Sequence, residues 1–194
     1  MVWIQLRWYP LILALYSAGV AAVEGKRYDS LASIFYTIVG SPEQRSKDVY
    51  FAEAISEGML ELARMDVFKK LPGHEKNFVP LSEYLFKILQ PKLDDILFVG
   101  KNYERSFDEF EVMFALAVAD LNKQRNDHVW GPIGRFGWKH RHGSSAPLQR
   151  VIDEARSMRE RWKPLRAGLF GGSIDRFIGV ADEYQKNIGG LHWW

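Results

Sequence analysis

The chain has 194 residues, 47% hydrophobic, 26% charged and 14% aromatic, with 26 Lys or Arg against 24 Asp or Glu and a formal net charge of +2. That is ordinary globular composition, long enough for one well-cored domain over residues 1–194, and it excludes disorder as the main state. No cysteine occurs; disulfides, thiolate metal sites and cysteine nucleophiles are therefore removed together, and a reducing, cytoplasmic setting fits.

In chain order, Trp8 to Val23 is almost wholly apolar, and Pro10 suits the first turn of a helix because its φ is fixed and its missing N–H is no loss there. Sixteen apolar residues fall short of the ~20 that a bilayer crossing needs, and Glu24, Lys26 and Arg27 follow at once. Small residues at Ala18 to Ala22 would serve a signal-peptide cleavage site. The next segment decides for a buried helix: Leu31, Ile34, Phe35 and Ile38 form one apolar face behind a capping Asp29, and that face needs the first helix. Pro10 to Val39 is thus a core hairpin turning at Glu24 to Arg27. Gly19, costing roughly 1 kcal/mol against Ala, marks a close approach of the second helix.

Ser41-Pro42 opens a third helical region reaching Lys70, with Val49, Ala52, Ile55, Met59, Leu60, Ala63 and Val67 at helical period. Pro80 leads a short helix with Leu85, Ile88 and Leu89 inward, closed by Pro91. Ser106 to Glu109 is a capping-box pattern opening the clearest helix, with Phe107, Phe110, Met113, Phe114, Ala117, Val118 and Leu121 on its buried face against the hairpin. Two last helices follow the caps Ser145 and Ser173, and no segment reads as strand. The chain is therefore expected to be all-α, a single-domain bundle of about six to eight helices built on the N-terminal hairpin.

Two glycine- and aromatic-rich connections, 129–145 and 166–173, interrupt the helices, and connections of this length are often functional. Trp130, Ile133, Phe136 and Trp138 also suit a plug at the bundle's end. From Gln124 to Arg166 there are ten Lys or Arg against four Asp or Glu, so the rest of the chain carries net negative charge. Basic residues interleaved with aromatics suit an acidic protein partner or a nucleic acid; Arg150 with Glu154 and Arg156 with Glu160 are also ordinary i,i+4 pairs on a solvated face. Trp130, Arg135, Phe136, Trp138, Lys139 and Arg141 are the candidate binding residues, in a loop whose Trp and Arg are typical interface anchors.

Gly19, Tyr28 and Phe35 fall where a tetratricopeptide-type hairpin has its glycine, turn tyrosine and second-helix aromatic; the stretch resembles one such hairpin, with no second copy about 34 residues on to make a solenoid. Arg135 with His140 or His142 forms R-x4-H or R-x6-H, which resembles the motif of HEPN-type ribonucleases. That resemblance implies metal-independent RNA cleavage, with the histidine moving protons and the arginine steadying the phosphorane charge. Here Phe136-Gly137 stands where that family favours a polar residue on a helix. His140 and His142 lack a third donor for a metal at any readable spacing, and Gly171-Gly172-Ser173 reads as a turn and cap. The order of YPLILALYSAGVAAVEGKRYD, PLSEYLFKIL, FDEFEVMFALAVADL, GRFGW and LRAGLFGGS resembles a helical domain toward the C-termini of large bacterial effector proteins such as SIR2-like ones, often linked to antiviral defence.

Together these readings predict a non-enzymatic interaction, sensor or scaffold module with no cofactor, its working surface the basic aromatic loop 130–143 and the adjoining Arg-rich helix. Its partner is a protein or a fused effector domain, with homo-oligomers compatible and a membrane not expected. The alternative is an RNA binder or ribonuclease using Arg135 and His140.

Overall fold

The computed structural model describes residues 6–40, 48–97 and 100–191, with the side chains at 97 and 141–144 outside it. It is all-α apart from one two-residue strand pair. Helix α1, Trp8–Glu24, carries Pro10 in its first turn, and α2, Tyr28–Phe35, folds back along it through a turn in which Lys26 has a φ of 51°. The predicted hairpin is present, but its second helix ends at Phe35, and Ile38, expected on that helix's buried face, is 55% exposed and lies in a strand. Asp29 does not cap α2: the residue lies inside the first turn of α2 and its carboxylate pairs with Arg27 at 3.1 Å.

Strand β1, Ile38–Val39, pairs antiparallel with β2, Val49–Tyr50, with Ile38 opposite Tyr50. Two residues per strand are too few for an alternating pattern, so the sequence carried no strand signal. The predicted helix start at Ser41-Pro42 lies outside the described residues. Helix α3, Phe51–Arg64, begins where the Glu53 carboxylate accepts the Tyr50 N–H at 2.9 Å, and it stops short of the expected Lys70. Helix α4, Pro80–Leu97, runs through Pro91 instead of ending there. Pro91 is exposed, so water can take the carbonyl that its missing N–H leaves free.

The molecule is arranged around α5, Tyr103–Asn126, in which every residue from Phe110 to Leu121 is buried. A helix apolar on one face only cannot do this; Val112, Leu116 and Ala119 supply the second face. The helix starts before the predicted capping box, whose residues tie it to the hairpin instead. The Ser106 hydroxyl donates to the Glu24 carboxylate, and Glu109 accepts the Tyr28 hydroxyl at 2.7 Å. The neighbour at Gly19 is likewise α5 and not α2, since a Cβ there would sit 2.1 Å from the Phe110 ring. Gly19→Ala is therefore expected to lose about 1–3 kcal/mol through overpacking, read as a lower urea midpoint at unchanged m-value; an unchanged midpoint would mean the Phe110 ring yields freely.

Helix α6, Pro147–Met158, a short α7, Lys163–Arg166, and α8, Ile174–Gly189, close the far side of α5. Ser173 caps α8 as expected, accepting the Arg176 N–H at 3.3 Å, whereas the cap position of α6 is Ala146 and not Ser145. Arg156 reaches across to Asp182 of α8 at 2.7 Å in place of the expected Glu160 pair. Before α8, Phe170 takes a positive φ of 55° and is held between Trp162 and Phe177, while its N–H donates to the Tyr36 hydroxyl. Among the described residues no helix is long and apolar enough to cross a membrane.

Candidate functional site

The connection from α5 to α6 lies flat on the bundle because two glycines admit it. A Cβ at Gly131 would meet the Ala115 carbonyl oxygen at 2.1 Å, and one at Gly134 would meet the Glu111 carboxylate at the same distance. The loop's backbone is then held by hydrogen bonds. Asn122 Nδ2 donates to the Trp130 carbonyl at 2.6 Å, and the Tyr184 hydroxyl donates to the Pro132 carbonyl at 3.1 Å.

Arg135, Phe136 and Lys139, expected as anchors presented to a partner, are interior at 7%, 1% and 6% exposure. The reason is carboxylates far away in the chain, with which the sequence reading did not pair the loop. Lys139 Nζ lies 2.7 Å from Glu104 and 2.5 Å from Asp108, and the Arg135 guanidinium lies 3.5 Å over the Phe86 ring with Glu104 at 3.4 Å and Glu83 at 3.6 Å. The hydrogen bond from Lys139 holds Glu104 below the usual carboxylate range, whereas burial pushes Asp108 up against the pull of that same lysine. Arg135 and Lys139 are thus neutralised inside the protein, whereas Arg159, Arg161, Lys163 and Arg166 of the same basic stretch are exposed. A phosphate approaching the buried Arg135 would have to compete with the carboxylates of Glu83 and Glu104.

Trp138 is half-buried and donates through Nε1 to Glu83 at 3.0 Å. His140 is half-buried with Nδ1 3.0 Å from the Gly137 carbonyl, and the Arg141 and His142 side chains lie outside the described residues. Among the described residues no three His, Asp or Glu side chains come together in a way that could hold a metal ion. His74 is buried against Tyr84 and bonded to Asn77.

Deeper still sits Glu111, one turn beyond Phe107 at the edge of the α5 stripe that meets the hairpin. Its Oε1 accepts the Ser82 hydroxyl at 2.6 Å and the Tyr16 hydroxyl at 3.0 Å, and its Oε2 accepts the Arg135 backbone N–H at 2.8 Å. Burial pushes its pKa up to about 8, with the nearby Asp108 charge adding to the rise.

Among the described side chains of the predicted binding residues, Trp130 alone stands out from the surface, 37% exposed. It borders a groove of about 990 Å³ that the sequence reading did not anticipate. Leu60 and Ala63 of α3 form one wall, Phe78 to Ser82 at the start of α4 a second, and Trp130 to Ile133 the third. Leu60 and Phe78 are 53% and 51% exposed. Leu60 and Ala63 were expected in the core stripe of α3; Leu62 takes that place, and they face the groove instead. Arg125 and Glu53, paired at 2.5 Å, stand at the groove's edge.

Comparison with family models, with curated proteins and with solved structures returned no match in any of the three.

Proposed function

We propose that the chain is a cytoplasmic, non-enzymatic interaction module whose working surface is the groove between α3, the start of α4 and the 130–133 loop. Its occupant is an amphipathic helix of a protein partner, and that partner includes a fused effector domain of the kind the bacterial defence resemblance suggests. The observation that carries this reading is the ring of exposed Leu60, Phe78 and Trp130 around one cavity. Contiguous apolar surface of this sort marks interaction sites, and a tryptophan at the rim is the residue type that dominates their energetics. Helix-in-groove binding uses apolar anchors of one helix face against such a trough, and Leu60 with Ala63 already offers a helix stripe to pack on. The groove mouth carries Glu57, Asp66 and Glu75 beside Lys69 and Lys76, mixed charge that suits the polar flanks of an amphipathic helix.

A photo-crosslinking amino acid at position 60, with the same residue at position 96 as an exposed control away from the groove, tests this. The expected result is a discrete adduct at position 60 that maps to the apolar face of a partner helix and is lost with Trp130→Ala. Leu60→Asp should abolish capture while leaving the melting temperature within about 2 °C, since exposed substitutions usually change stability by at most ~0.5 kcal/mol. Equal labelling at both positions, or an adduct only with a small molecule, would replace the helix-binding reading.

A further inference from the structure

We propose that the Glu111 carboxyl is a proton-operated clasp that holds two walls of the groove together, so that the walls part with release of one proton. The regulatory meaning of this clasp rests on the groove being the working surface. Its geometry does not. One carboxylate oxygen takes Ser82, from the α4 wall, and the other takes the Arg135 N–H, three residues beyond the Pro132 that lines the loop wall. The Arg135 N–H also reaches the Ser82 hydroxyl at 2.9 Å, which closes a triangle between the walls with Glu111 at its apex. Gly134 lies directly against the same carboxyl, so the loop cannot shift toward α5 and can only move away.

Every element packed against Glu111 brings groups that bear on its charge. Tyr16 of α1 is within hydrogen-bond reach, and Tyr103 and Tyr184 both feel the Glu111 charge. Asp108 adds a negative charge one turn back on α5. The cations Arg135 and Lys139 are turned toward Glu83, Glu104 and Asp108 and make no ion pair with Glu111 in the structure. A neutral carboxyl fits this surrounding well, because the hydroxyl oxygens of Tyr16 and Ser82 stand ready to accept its proton. The ionised form is buried with three dipolar donors and no counter-charge, which disfavours it relative to water.

The sign of the pH effect follows. Burial raises the folded pKa above the ordinary carboxylate value, so the closed state binds the proton more tightly than the parted one. Stability of the closed clasp is then full below the ordinary carboxylate pKa. It declines as pH rises and levels off above about 8, where both states are ionised. Between these limits the opening constant should rise about tenfold per pH unit, the slope for one proton.

Hydrogen exchange of the full chain, corrected for intrinsic rates between pH 5.5 and 9, reads this directly without any partner. Amides in 80–84 and 132–137 should lose protection about tenfold per pH unit up to pH 7.5 and then level, while amides of α6 stay flat. Glu111→Gln should abolish the slope, because a neutral amide offers an acceptor to the Arg135 N–H and donors to the two hydroxyls. A flat wild type, the same slope in Glu111→Gln, or an equal slope across α6 would each overturn the clasp. Should Glu111→Gln fail to fold, the ¹³C resonance of the wild-type Glu111 carboxyl decides: a midpoint near 8 is expected, and one in the ordinary carboxylate range overturns the proposal. Loss of the crosslink at position 60 with the exchange slope intact would fault the groove reading alone.

Discussion

Lys139→Met should destabilise the protein by about 3–5 kcal/mol, the usual consequence of removing one partner of a buried ion pair. Methionine keeps most of the stem's volume, so the loss isolates the charge. Asp108 has 4% side-chain exposure and an Oδ1 with no hydrogen-bond partner, so Lys139 at 2.5 Å is the group that makes its charge tolerable. Glu104, 58% exposed, can turn to water when the lysine goes; Asp108 cannot. The deficit should therefore depend on pH in a stated direction. Without the lysine, nothing offsets the burial that already raises the Asp108 pKa, so the mutant's carboxyl stays protonated in the fold at pH values where the unfolded chain has released its proton. Stability relative to wild type is then best in acid and falls as pH rises above the ordinary carboxylate range. Urea midpoints at pH 4.5 and pH 8 check this, and adding Asp108→Asn should restore part of the loss at pH 8 while changing little at pH 4.5. A pH-independent deficit would show that lost packing, and not the orphaned carboxylate, is the cause.

The helical grammar was legible because local rules set it. The buried stripe of α5 and the Ser173 cap appear where the sequence puts them, whereas α1 already begins at Trp8, two residues before the Pro10 expected to open it. What the sequence concealed was partnership over long separations. Ser106 and Glu109 have the spacing of a capping box, yet they serve Glu24 and Tyr28 more than 80 residues away, because α5 had already begun at Tyr103. Arg135 and Lys139 read as a surface patch since their carboxylate partners, Glu83, Glu104 and Asp108, lie about 30 to 50 residues back on helices whose acidic positions look solvated. Glu111 is the sharpest instance. In FDEFEVMFALAVADL it stands as one polar residue between apolar ones, and only the apolar Phe107, Phe114 and Ala115, three or four residues away on the same side of α5, hint that it is covered. The groove was hidden for the opposite reason: Leu60 and Ala63 match the core period of α3, and the absence of a covering element is a fact of topology that periodicity does not carry.

Gly131→Ala should be among the most damaging single-methyl additions in the chain, at about 3 kcal/mol, the upper part of the range for overpacked sites. The new Cβ would stand 2.1 Å from the Ala115 carbonyl oxygen and 3.0 Å from its carbon. That oxygen belongs to the backbone of a helix buried on all sides, so it has nowhere to retreat. The loop must rise instead, and in rising it pulls the Trp130 carbonyl from Asn122 and the Pro132 carbonyl from Tyr184, leaving a buried tyrosine hydroxyl short of its acceptor. The same displacement moves Trp130 and Ile133 out of the groove wall, so crosslinking at position 60 should fall further than the loss of folded protein accounts for. Gly179→Ala supplies the contrast. That glycine sits mid-helix in α8 with nothing within 4 Å of its would-be Cβ, and alanine there should stabilise by about 0.5–1 kcal/mol through helix propensity alone. Thermal melts of the two variants should therefore shift in opposite directions; a Gly131→Ala protein as stable as wild type would mean that the loop does not rest on α5, and the groove would lose its third wall.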